Sequence, residues 1–218
     1  MLASVRNVPF MIWDGAQDEL VPVAGATAQA QTFDGLGYRY VYDLFSTADH
    51  FALAVEDQYA PAARFLGTHQ VDRNPSHVSY VVNPTMNFPG VGMVADHAYW
   101  LSGLDLRDRS GSAPLAEIDA RSEGFGHADP SAGPTHTVPA KQLQGGNLPP
   151  LNYSERSKAW GPAPSAPKRD VLHLDAQNLG RVVVHPARAH LSCQADLDVT
   201  TDGPLAVTLA GCGKTRHF

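Results

Sequence analysis

Asp18 and His50 each follow directly on a strand-like apolar run, and of all residue pairs in the chain this one is best suited to moving a proton. An aspartate bonded to one ring nitrogen of a histidine fixes its tautomer and stabilises the imidazolium. The other nitrogen is then free to take a proton from a hydroxyl. Asp49, beside the histidine, and Asp14, at the end of the first run, are alternative acids, and the choice stays open between Asp18, which is favoured, and these two. Taken singly, an aspartate in a turn is more often a turn former than a catalyst. The weight of the pair comes from its order and its setting.

That setting is an alternation of strands and helices. Residues 8–13 form a continuous apolar run suited to a strand buried on both faces, and a polar turn follows at 14–19. A helix over 22–33 opens on Pro22, which a first helical turn tolerates, and stops at Gly35 and Gly37. A second strand over 38–45, a polar loop at 46–50 and a helix over 55–66 complete the pattern, which predicts a parallel sheet with crossover helices. Catalytic groups on such sheets gather beyond the carboxyl ends of the strands, where both Asp18 and His50 fall.

After Gly67 short strands appear without helices between them, at 77–82, 98–107 and 116–122. Residues 129–167 are rich in Pro and Gly, including Pro149 and Pro150, and predict a long irregular loop. Strand signals return at 171–175, 181–185, 197–201 and 205–209, and the turn Thr201-Asp-Gly203 predicts a hairpin between the last two. A charge shift falls near residue 70, since Arg6, Arg39 and Arg64 are the only basic Lys or Arg residues before it.

The stretch Asn7-Val-Pro-Phe-Met-Ile-Trp-Asp-Gly-Ala-Gln-Asp-Glu-Leu-Val-Pro22 resembles the apolar strand, glycine turn, acid and D-x-x-V-P ending of α/β-hydrolases. It is similar above all to prolyl-oligopeptidase-like and secreted esterase-like serine hydrolases, and the likeness covers residues 7–66. It implies a fold that is α/β and then mainly β. Residues 1–70 would be the C-terminal segment of an α/β-hydrolase catalytic domain, the last strands and helices of a parallel sheet. Residues 71–218 would be a β-sandwich-like accessory domain.

The resemblance further implies that Asp18 is the triad acid and His50 the base. Two departures accompany it. The nucleophile elbow Gly-x-Ser-x-Gly is absent, and the family's order of serine, acid, histidine puts the serine before residue 1. Many relatives also carry Gly immediately before the histidine, where this chain has Asp49. The expected activity is therefore that of a larger serine hydrolase, with this chain inactive alone. Acyl transfer to water would act on a small-molecule ester, a polymeric ester or a peptide, and it requires no metal or organic cofactor. The alternative is a non-catalytic β-sandwich that binds a polymer or a partner chain and carries a hydrolase remnant.

Composition narrows the partners. A formal net charge of -6 over 218 residues, with a pI of about 5.9, gives no basic field for a phosphate backbone, which excludes nucleic acid. No apolar run reaches the ~18 residues needed to span a bilayer, and the first ten residues lack the layout of a signal peptide. An apolar strand that begins almost at once suggests a cut end. Cys193 and Cys212 form either a disulfide or two small buried thiols; a bridge would imply an oxidising compartment, extracellular or periplasmic for the full-length form. His185 with His190, and His127 with His136, lack the spacing of a zinc site and read as surface histidines. Tyr80, Phe88, Tyr99 and Trp100 would either line a polymer-binding face or, more commonly, fill a core.

Overall fold

The computed structural model describes residues 1–218. In chain order its first elements are strand β1 (Phe10–Gly15), helix α1 (Val23–Gly35), strand β2 (Tyr40–Phe45) and the short helices α2 (Ala52–Glu56) and α3 (Ala60–Gly67). Strands then follow one another: β3 (His77–Val82), β4 (Leu101–Leu106), β5 (Ala116–Ser122), β6 (His136–Leu143), β7 (Leu151–Lys158) and β8 (Val171–Gln177). The last four are β9 (Leu179–Val184), β10 (Asp196–Thr201), β11 (Ala206–Leu209) and β12 (Lys214–His217).

The strand, helix, strand unit forms as the apolar runs require. β1 lies parallel to β2, from Phe10 against Tyr40 to Gly15 against Phe45. Ala30 and Phe33 of α1 bury against Tyr38, Tyr40 and Tyr42. Beyond β2 the sheet departs from expectation, because β7 and then β6 join it antiparallel, giving the order β1-β2-β7-β6. Both added strands come from residues 129–167, the stretch that sequence predicts to be irregular. Its prolines prove compatible with a ladder. Pro139 sits where the β6 register shifts between Val138 and Lys141, on an edge strand that has no outer partner, and Pro149 and Pro150 fall in the turn before β7.

The chain is thus mainly β, with 37% strand against 18% helix in three mixed four-stranded sheets. This overturns both the expected α/β-hydrolase segment and the resemblance that implied it. A doubly wound sheet needs a run of parallel strands, and here a single parallel pair is closed off by an antiparallel hairpin.

The expected β-sandwich is overturned as well. The second sheet runs β10-β8-β5-β3 and the third β12-β11-β9-β4, and each contains one parallel pairing, β10 on β8 and β11 on β9. The chain passes from the second sheet to the third at Asn178, whose φ is +51°, and passes again between β10 and β11 at Asp202 and Gly203. Two successive corners therefore stack, and the turn at 201–203 joins two sheets where sequence predicts a hairpin. The Asp202 carboxylate fixes this arrangement by accepting from the Asn178 backbone N–H at 2.9 Å and from Arg107 Nη2 at 2.8 Å. A side chain at 203 would meet the same guanidinium, since a Cβ there would lie 2.7 Å from Arg107 Cζ.

The second and third sheets share one core of 21 buried residues that includes Trp100, Leu101, Ile118, Leu172, Leu179 and Val184. Trp100 is wholly buried and donates its Nε1–H to the Pro75 carbonyl at 2.7 Å. Tyr80 and Tyr99 pack on the same core and Phe88 stands exposed, so these aromatics make no common binding face. Cys193, just before β10, is disulfide-bonded to Cys212 in the turn between β11 and β12, which ties the second sheet to the third. No helix is long and apolar enough to cross a membrane.

Candidate acid–base site

Two loops meet at the carboxyl ends of β1 and β2, and glycine makes the meeting possible. A Cβ on Gly15 would sit 2.4 Å from the Ala48 carbonyl oxygen, so only a residue without one lets the first loop lie against the second. Backbone bonds then lock them, with Ala16 N–H donating to the Phe45 carbonyl at 2.9 Å and Gln17 N–H to the Ala48 carbonyl at 3.0 Å. Gly15→Ala is expected to part the loops at a cost of about 1–3 kcal/mol, the range for overpacking a tight site. The expected signature is loss of the protected His50 Nδ1–H proton resonance; a variant that keeps that resonance would show that the loops do not depend on this contact.

The loops deliver Asp18 to His50. His50 Nδ1 lies 2.9 Å from Asp18 Oδ2 and 3.1 Å from Oδ1. Asp18 Oδ1 also accepts from the backbone N–H groups of Val21 at 2.7 Å and Leu20 at 2.8 Å. The Val21 N–H is the main reason the carboxyl is held below its ordinary 3.8, with the His50 bond adding to it. An ionised carboxylate accepts only, so Nδ1 carries a proton, and it is Nε2 that is available to exchange one. Nε2 has no hydrogen-bond partner within the chain, and the His50 side chain is 32% exposed. The ring edge rests on Phe51, 5.0 Å away between centroids.

The alternative acids are placed elsewhere. Asp49 Oδ1 accepts from the N–H groups of Phe51 at 3.0 Å and Ala52 at 2.8 Å, which makes it a turn former at the start of α2. Asp14 is buried, and that burial, followed by the nearby Asp18 charge, pushes its carboxyl up. Of the three acids, only Asp18 reaches the imidazole.

The anchoring of α2 was not visible in the sequence. Glu56 is wholly buried, its Oε2 accepts from Leu148 N–H at 2.8 Å, and its carbonyl accepts from Asn147 N–H at 2.9 Å. The turn between β6 and β7 thereby holds the helix that begins just after His50. An acid that directly follows the apolar run 52–55 is the only local hint. A histidine to hydroxyl contact appears elsewhere, with Ser102 Oγ 2.8 Å from His185 Nε2, but no carboxylate bonds to the other ring nitrogen. His190 stacks on Phe125 at 4.0 Å, His127 is half-buried and His136 is exposed.

Compared with protein-family models, curated proteins and solved structures, the chain matches none of them.

Proposed function

We propose that Asp18 and His50 are the acid and base of a hydrolytic site that cleaves an ester or peptide bond by acyl transfer to water, the attacking serine being supplied by polypeptide outside these 218 residues. His50 Nε2 takes the hydroxyl proton as the oxygen attacks the carbonyl carbon, then returns it to the leaving group, while Asp18 orients the ring and stabilises its charged form. One observation carries this reading: both oxygens of a carboxylate held below its ordinary pKa face Nδ1, and Nε2 is left open. It rests on the pair and claims no family. The Cys193–Cys212 disulfide supports an extracellular or periplasmic setting for the full-length form.

The test measures fluorophosphonate labelling and ester turnover on the full-length form that carries this chain. His50→Ala should lower turnover by several orders of magnitude, and Asp18→Asn by about 10⁴-fold through the wrong tautomer. Normal turnover in His50→Ala removes the proposal.

A second reading, a non-catalytic interaction module, is favoured by the groove of about 410 Å³ beside β1, lined by Val8, Phe10, Met11, Trp13, Phe65 and Leu66 among others. In that case Asp18→Asn changes stability while no serine is labelled.

A further inference from the structure

Away from this site, a meeting of charged groups that links two parts of the fold surrounds His77, at the start of β3. Its Nδ1 lies 2.7 Å from Asp129 Oδ2 and its Nε2 lies 2.6 Å from Asp119 Oδ1. Asp119 belongs to β5 and accepts from Ser79 Oγ at 2.5 Å, which fixes it within the second sheet. Asp129 belongs to the connection that leads into β6, and its Oδ1 lies 3.1 Å from Arg6 Nη2. Arg6 in turn lies 5.4 Å from the Trp160 ring centroid, and Trp160 donates to the Gly37 carbonyl at 2.6 Å. The neighbouring Asn7 Nδ2 donates to the His77 carbonyl at 2.9 Å. One imidazole thus stands where the first sheet's surroundings join the second sheet.

Its protonation decides whether the contacts are mutually favourable. A neutral imidazole has one N–H and one lone pair, so between two ionised carboxylates it would aim a lone pair at an oxygen less than 3 Å away. An imidazolium donates to both. With the ring charged, His77 and Arg6 balance Asp119 and Asp129; with the ring neutral, the cluster holds an uncompensated negative charge. The remaining charge on β5 next to the ring is Arg121, its cross-strand neighbour, which lies 3.9 Å from Glu123.

We propose that His77 is a proton-operated clasp between the first and second sheets, closed while its ring donates to both Asp119 and Asp129 and released on the Asp129 side when the ring loses a proton. Release falls there because Asp119 is pinned by Ser79 while Asp129 sits on a connection outside any strand.

The direction of titration agrees with this geometry. Burial alone would lower the ring's pKa, yet the bonds from Asp119 and Asp129 hold it above the ordinary 6.5. Burial alone would likewise raise both carboxyls, yet the His77 bonds hold them below 3.8. A raised histidine pKa means stabilisation that is complete below 6.5 and is lost as pH rises through the folded value. The depressed carboxyls give stabilisation that is complete above 3.8 and is lost as pH falls through theirs. The clasp is therefore closed from mildly acid pH to beyond 6.5 and opens on the alkaline side.

Ring ¹⁵N shifts on the whole chain read the clasp directly. The expected result is a doubly protonated His77 at pH 6.5, with a midpoint above that value which falls in Asp129→Asn. Hydrogen exchange, corrected for its intrinsic pH dependence, should show residues 4–8 and 126–131 losing protection as pH rises above 6.5 in the wild type and no such trend in His77→Gln. A singly protonated ring at pH 6.5, or the same exchange trend in His77→Gln, overturns the proposal. Should His77→Gln fail to fold, the ring shifts of the wild type and of Asp129→Asn decide it.

Discussion

Trp100→Ala is expected to destabilise the chain by about 3–5 kcal/mol, the range for truncating a fully buried aromatic. The indole is 0% exposed in the core shared by the second and third sheets, so its removal leaves a cavity against close-packed neighbours. It also strands a buried acceptor, the Pro75 carbonyl that Nε1–H satisfies at 2.7 Å. Trp100→Phe keeps a six-membered ring but loses the bond and the space of the pyrrole ring, so it should cost less than Trp100→Ala and at least the ~1–3 kcal/mol of an unsatisfied buried group. Equilibrium urea unfolding with an unchanged slope reads both. A loss under about 1 kcal/mol for Trp100→Ala would mean that the two sheets do not depend on this residue to pack.

Removing the disulfide, by Cys193→Ala with Cys212→Ala, is expected to cost about 3 kcal/mol, the chain-entropy value for a loop of this size. The closed loop spans 19 positions and contains all of β10 and β11, the strands that pair in parallel on β8 and β9. An unbridged chain must find these two non-local registers without the restriction. Thermal unfolding with and without reductant checks the same quantity on the wild type. Equal midpoints in the two conditions would show that the bridge adds nothing to the folded state.

Sequence made the β1, α1, β2 unit legible because its signals are local: an apolar run, a proline at a helix start, two glycines at its end, and aromatic β formers. The meeting of Asp18 with His50 was legible for the same reason, since each residue follows a strand that could be placed. The rest was hidden by physics that no local pattern reports. Pro139, Pro149 and Pro150 argue against strands, yet at a bulge and in a turn they cost no ladder hydrogen bond. The strands β8 to β11 carry the right propensity, but their assignment to alternating sheets is set by Asn178, Asp202 and Arg107, which pair across 24 and 95 positions. Glu56 and Leu148 meet across 92 positions, and His77 and Asp129 across 52. The resemblance of residues 7–22 to a hydrolase strand rested on residue types alone, and the antiparallel partner that β2 takes overturned it.

That partner has a kinetic consequence. Tyr40 and Arg156 are bonded 116 positions apart, and the neighbours β4 and β9 are likewise remote in sequence, so none of the three sheets can close on a local stretch alone. Chains dominated by such distant pairings fold slowly, over milliseconds to seconds, because loop entropy is lost before contacts repay it. An emerging nascent chain would hold β1 and β2 as an unfinished ribbon until residues beyond 150 leave the ribosome. Refolding from a reduced, denatured state should accordingly lag behind refolding with the covalent link intact.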